Sequence, residues 1–354
     1  MFLVLSGYLW TKSLLRQKQP TKTNERTNER TNERTNLLRP YLNRLTRIAL
    51  PYLFYLVFCA LLFAAISIPR GFESYWVGVL TLTYNFKRMI PGFVDSDYFG
   101  HLWYICVSEQ LFLIWPLLIW FIPRGKLVKT FLVFLVCGPL IRFGTGLLLE
   151  EMAFDSAMVS KAVVNFPLSH IDSLAWGSLV ACISHETFPR SLKNLRTWFA
   201  SSIIATVTVG LLWAYHLERN MLPPSWKSLG FDYGMRYGYQ YVWGWSIIGF
   251  CCFLLILEVI HDPAFARLFQ QRPLIFLGKI SFGFYIWHLP ILSMVSGVWN
   301  PSPHSLPGLA KTFLVFALSL IAGSLVHSII EKRFGRWLSE NLGCLRRRNN
   351  VPAI

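Results

Sequence analysis

The sequence predicts an all-α protein, a polytopic bundle of membrane-spanning helices. Three observations predict it: apolar residues fall into long runs, charged residues are scarce, and the basic ones are shared unequally between alternate connecting segments. Hydrophobic residues make up 54% of the 354 and charged residues 15%, against about 25% charged in an ordinary soluble domain. Uncharged or nearly uncharged runs occur at 48–68, 102–122, 130–149, 197–215, 237–257, 280–298 and 312–330. At about 1.5 Å of rise per residue, each can cross a hydrocarbon core of about 30 Å as a helix. A weaker span is expected at 171–183, with His170 and Asp172 at its start. The run 1–11 is apolar but too short to span alone. Together these make about nine spans, the first of them clipped.

The charges orient the spans. With 12–47 placed in the cytoplasm and the side alternating from there, 25 Lys and Arg fall on the cytoplasmic side and 8 on the other, with Arg142 inside a span. Basic residues are retained on the cytoplasmic face during insertion, so this bias predicts a multi-pass inner or plasma membrane protein whose C-terminus is cytoplasmic. The net charge of +16 then reads as topology and attraction to the headgroups of anionic membrane lipids. Nucleic-acid binding is excluded, because no basic patch sits on a soluble domain.

Between the spans, 17–38 is a low-complexity cytoplasmic loop with T-N-E-R at 23–26, 27–30 and 31–34. A four-residue period cannot bury a core of its own. The stretch 69–99 carries Tyr75, Trp76, Tyr84 and Phe86 but is too interrupted for a span. A re-entrant or interfacial piece is expected near 75–90, since irregular backbone at membrane depth must be covered by protein or line a cavity. The transmembrane domain is expected over 1–335. Residues 336–354 form a basic cytoplasmic tail ending near Arg346-Arg347-Arg348, a candidate lipid-surface anchor. The seven cysteines show no C-x-x-C or metal-like spacing and read as small buried hydrophobes, so no metal is expected.

Polar groups inside spans are costly and are therefore the first candidates for chemistry. His101, Trp103, Ser108, Glu109 and Gln110 open one span. Glu109 lies about 12 Å beyond His101 along a helix, and an unpaired carboxylate there must be protonated, paired or wet. Ser281, Tyr285 and His288 share one helical face, after Lys279 and before Pro290, where a kink is expected. That stripe either lines a cavity or bonds neighbouring helices. Ser324, His327 and Glu331 form a third stripe, although Glu331 could simply end its helix in water. Arg44 and Arg47, three residues apart before the span at 48, form either a phosphate clamp or a positive-inside anchor.

Six blocks of the sequence, in order, resemble the acyltransferase 3 family: FLVLSGYL at 2–9, RLTRIALPY at 44–52, HLWYICVSEQLFLIWPLL at 101–118, HIDSLAWGSLVA at 170–181, GKISFGFYIWHLPIL at 278–292 and EKRF at 331–334. They cover nearly the whole chain. The resemblance implies a ten-helix fold that uses a cytoplasmic acyl-CoA, usually acetyl-CoA, as co-substrate with no bound cofactor. It implies a hydroxyl of a surface glycan or lipid-linked sugar as acceptor. Arg44 and Arg47 match the family's R-x-x-R motif, linked to acyl-CoA binding, and His101, Trp103, Glu109 and Gln110 match its second signature. Ser108 stands where the family commonly has a glutamate. Family members also carry, ahead of the first block, a helix with an arginine and the histidine taken as the catalytic base. This chain opens inside that first block, so the expectation is a natural start upstream, or a degenerate and inactive member.

The function expected is therefore transfer of an acyl group, acetyl above all, from acyl-CoA to a glycan hydroxyl. His101 and Glu109 are the catalytic candidates, Arg44 and Arg47 the acyl-CoA clamp, and Trp103, Ser108, Gln110, Ser281, Tyr285 and His288 the lining of the cavity. A secondary transporter is the rival from another class. It would require repeat symmetry between the halves, which the sequence does not display.

Overall fold

A computed structural model describes residues 1–17, 38–66, 73–185, 194–223, 226–232, 234–302 and 305–334, and every regular element among them is helical. In chain order these are α1 (Phe2–Gln17), α2 (Leu38–Ile66), α3 (Glu73–Leu80), α4 (Tyr84–Lys87), α5 (Trp103–Phe121), α6 (Arg124–Glu151), α7 (Ser156–Asn165), α8 (Ile171–His185), α9 (Leu195–Arg219), α10 (Gln240–His261), α11 (Pro263–Phe269), α12 (Arg272–Val298) and α13 (Leu306–Leu325). A π-helical stretch, Val326–Phe334, continues α13.

Among the described residues, seven helical stretches are long and apolar enough to cross a membrane, and they coincide with the seven strong runs of the sequence. Pro51, Pro116, Pro139 and Pro290 lie inside helices. Such prolines are tolerated where neighbouring groups satisfy the carbonyls they free. The two weaker segments are also helical, with 16 residues in α1 and 15 in α8. Helix α1 runs on to Gln17, past the apolar run that ends at 11. Between α2 and α5 the described residues form short α3 and α4, the 3₁₀ turn Gly100–Leu102 and irregular turns. The T-N-E-R repeats and the basic tail lie outside the described residues.

The chain divides into two compact units, each discontinuous in sequence. One comprises Met1–Thr35, Gly78–Val94 and Trp103–Leu268, the other Asn36–Val77, Asp95–Leu102 and Phe269–Ile354.

In the first unit, α1 lies against α8 at backbone contact. A Cβ on Gly7 would overlap the Leu174 carbonyl, and one on Gly177 would overlap the Val4 carbonyl. Small residues let membrane helices approach this closely, so dispersion and polar contacts replace the hydrophobic drive that lipid removes. Three helices meet there: Thr11 Oγ1 donates to Ser178 Oγ at 2.7 Å, and Trp115 Nε1 of α5 donates to the same oxygen at 3.0 Å. Around α6, α8 and α10 the unit encloses a fully buried ion pair. Arg142 Nη1 and Nη2 reach Asp172 Oδ1 and Oδ2 at 3.0 and 2.8 Å. The remaining donors go to Ser246 Oγ at 2.6 Å, the Val242 carbonyl at 3.1 Å and the Ser169 carbonyl. Gly138 makes room for this, since a Cβ there would stand 2.7 Å from the Asp172 side chain.

In the second unit, α12 and α13 cross at a glycine pair. A Cβ on Gly283 would sit 3.0 Å from Gly323 Cα, and one on Gly323 would sit 2.8 Å from the Phe284 nitrogen. Helix α2 packs on α12 through aromatic edges, Tyr55 and Phe58 lying 5.4 and 4.6 Å from the Trp287 ring. The segment 95–102 is tied to both helices, with Tyr55 Oη donating to the Tyr98 carbonyl at 2.7 Å and Ser293 Oγ to the Asp97 carbonyl at 3.0 Å.

Candidate functional site

The second unit contains His101, Tyr285 and His288 of the sequence candidates. His101 belongs to a 3₁₀ turn, Gly100–Leu102, and is held to α12 from both its backbone and its ring. Tyr285 Oη donates to the His101 carbonyl. His101 Nε2 stands 2.9 Å from the Ile286 carbonyl. A carbonyl can only accept, so Nε2 carries the hydrogen and the lone pair of the neutral ring lies on Nδ1. That Nδ1 is buried, and the described residues give it no hydrogen-bond partner. His288 lies alongside, the two rings 5.2 Å apart and 72° to one another. Its Nδ1 is 2.6 Å from the Tyr285 carbonyl, which places its lone pair on Nε2. Tyr55 closes another side, its ring 6.0 Å from that of His101.

His101, Tyr285 and His288, three of the predicted residues, thus meet in one cluster. Ser281 stands apart from it, exposed, with its hydroxyl bonded to the Gly278 carbonyl of its own helix. Tyr55 and Trp287 went unnoticed in the sequence because an aromatic residue in an apolar span carries no mark of its neighbours. Beside this unit's aromatic wall, the Tyr75 phenol is held above its ordinary pKa by desolvation and by the charges of Asp95 and Asp97.

Arg44 and Arg47 lie on α2 of the same unit. Arg44 is half-buried, and the side chain of Arg47 lies outside the described residues. In the third stripe, His327 Nδ1 and Glu331 Oε2 pair at 2.7 Å, while the Ser324 hydroxyl turns back to the Leu320 carbonyl. The helix therefore joins two of those three groups.

The other residues of the second signature belong to the first unit. Trp103 is buried, with the Arg88 guanidinium 5.7 Å from its ring and the His170 ring 6.4 Å away. Ser108 Oγ donates to the Ile105 carbonyl at 2.9 Å, within its own helix. Glu109 is half-buried. Gln110 acts as a latch: its Nε2 donates to the Leu82 carbonyl at 2.6 Å and to Asn85 Oδ1 at 2.9 Å. Asn85 Nδ2 in turn reaches the Asn165 carbonyl at 3.1 Å. The irregular backbone after α3, where Leu82 adopts φ +56°, is satisfied by protein in this way. Asn85 was missed because it lies in the interrupted segment, where no periodicity marks a buried face.

Among the described residues no group of His, Cys, Asp or Glu is arranged to hold a metal ion. Chemically, the cluster offers a buried ring nitrogen with a lone pair and no hydrogen-bond partner among the described residues, beside a phenol and a second imidazole.

Comparison with known proteins adds the following. Residues 1–329 match the family model described as an acyltransferase domain, acyltransferase 3. The chain is 23% identical over 312 residues to the O-acetyltransferase OatA of Staphylococcus aureus, covering 84% of this chain and 46% of that protein. It is 21% identical over 345 residues to the peptidoglycan O-acetyltransferase OatA of Listeria monocytogenes, covering 94% of this chain and 50% of that protein. The chain spans about half the length of these relatives. No solved structure matches it.

Proposed function

This chain belongs to the acyltransferase 3 family, and on that premise we propose that it moves an acyl group from cytoplasmic acyl-CoA to a hydroxyl of a surface polysaccharide or lipid-linked sugar. The names of the relatives support acetyl as the group and a peptidoglycan-type glycan as the acceptor class. The reading is carried by the meeting of two distant family segments, 101–118 and 278–292, at His101, Tyr285 and His288. In it, His101 takes the hydroxyl proton while the oxygen attacks the thioester carbonyl. Glu109, the second catalytic candidate, belongs to the same signature.

Arg44 and Arg47 hold the CoA phosphates, for which planar guanidinium groups are suited by their paired donors. This assigns the N-terminal end of α2 to the cytoplasmic face of the inner or plasma membrane, in agreement with the bias in Lys and Arg. The test is transfer of label from acetyl-CoA into glycan by purified membranes carrying the full chain. Arg44→Ala and Arg47→Ala are each expected to raise KM for acetyl-CoA about tenfold or more, the value of a lost charge-assisted hydrogen bond, with kcat little changed. Unaltered kinetics in both variants would overturn the clamp, and absence of label in the glycan would overturn the activity.

A further inference from the structure

Helix α12 contains Pro290 in its interior. Proline has no N–H, so the carbonyl four residues earlier loses its helical donor. That carbonyl is Ile286, and it is the group that lies 2.9 Å from His101 Nε2. The helix break and the histidine contact are thus two sides of one hydrogen-bond exchange: the donor Pro290 lacks is replaced by the ring N–H of His101. Because the carbonyl can only accept, it selects one of the two neutral tautomers. His101 is 8% exposed, and its Nδ1 has no partner among the described residues, so nothing there favours the opposite tautomer. The Tyr285 hydroxyl on the His101 carbonyl fixes the same residue from the backbone side.

We propose that Pro290 is a positioning residue: by freeing the Ile286 carbonyl it locks His101 as the Nε2–H tautomer, so that Nδ1 is the atom that receives the proton of the acceptor hydroxyl. The proton-acceptor half rests on the proposed function; the tautomer half does not. In the step itself the hydroxyl oxygen bonds to the thioester carbonyl carbon and the C–S bond breaks. The hydroxyl proton moves to His101 Nδ1 and is then returned to the departing sulfur, so ester and thiol leave and the imidazole is neutral again. During the charged interval Nε2–H stays on the Ile286 carbonyl, which keeps the ring in plane without itself titrating. His288, with its hydrogen on Nδ1 toward Tyr285, is the opposite tautomer and serves as an internal reference for the measurement.

The full chain, labelled with ¹⁵N in its histidine rings and held in lipid, is read by nitrogen resonance, which separates protonated from bare ring nitrogens. His101 is assigned by the signals lost in His101→Gln. A glutamine amide can replace Nε2–H on the Ile286 carbonyl, so this variant is expected to keep its unfolding temperature. The expected spectrum has Nε2 protonated and Nδ1 bare for His101, and the reverse for His288. Pro290→Ala restores a helical N–H to compete for Ile286. It is expected to convert His101 to a tautomer mixture and to lower kcat for transfer from acetyl-CoA several-fold, with KM unchanged. His101→Gln is expected to lose about 10²–10⁴-fold in kcat. A bare Nε2 on His101, or a His101 spectrum unmoved by Pro290→Ala, overturns the lock. His101→Gln retaining more than about a tenth of the activity overturns the proton-acceptor role. An inactive unaltered chain would overturn the proposed function and that role together, while the nitrogen spectrum would still decide the tautomer.

Discussion

Arg142 shows what a single residue in a span demands. Its guanidinium is fully buried, as is the Asp172 carboxylate, and water cannot serve either group. Every donor named above for Arg142 ends on an oxygen of α8, of α10 or of the turn before α8, and Ser246 Oγ also donates to Asp172 Oδ2 at 2.7 Å. A pair so fully satisfied is stable, but half of it is not. Removing one partner of a buried pair costs about 3–5 kcal/mol, whereas replacing both by apolar groups of similar volume is often near neutral. Asp172→Leu and Arg142→Met are therefore each expected to lower the unfolding temperature in detergent sharply. The double variant Arg142→Met with Asp172→Leu should be less destabilised than either single change, and strictly additive losses would refute the coupling. The sequence marks both charges as costly, yet two residues 30 apart cannot be paired from spacing alone.

At the scale of the element, α1 and α8 explain two of the family-like blocks as one structure. FLVLSGYL at 2–9 and HIDSLAWGSLVA at 170–181 supply Gly7, Gly177 and Ser178, the residues that bring the two backbones together. Neither helix is among the seven long enough to cross a membrane by length and composition, and their shared seam accounts for how such short apolar helices are stabilised. Gly177→Leu is expected to force α1 from α8. Overpacking of this kind costs about 1–3 kcal/mol or more, read as a lower unfolding temperature and poorer recovery of dispersed protein from detergent. A variant with unchanged stability would show that the seam contributes little. Helix α12 shows the complementary device, in which a proline chosen against helix propensity releases one carbonyl for a neighbour.

At the scale of the whole molecule, the seven stretches long and apolar enough to cross a membrane, the weaker span of α8 counted as a further crossing, and the bias in Lys and Arg together set an expected orientation. A reporter that is active only after export, such as alkaline phosphatase, should be inactive when fused after Lys126 and active when fused after Lys227. The reverse pattern would refute the proposed cytoplasmic placement of Arg44 and Arg47. The two compact units also divide the second signature between them: His101 falls in one, Trp103 through Gln110 in the other.

The sequence by itself determined the helical class, the seven strong spans and the interrupted segment before α5, because hydropathy and helix length are local quantities that the bilayer imposes on each stretch separately. It also named His101, Tyr285 and His288, since an ionisable or polar group in an apolar run is conspicuous wherever it lies. Only the tertiary structure decided that these three meet while Ser281 faces away, that Gln110 secures the Leu82 turn, and that Arg142 pairs with Asp172. Each of those facts depends on which helix lies beside which, and two apolar helices look equally acceptable as neighbours until glycine contacts and hydrogen-bond partners distinguish them.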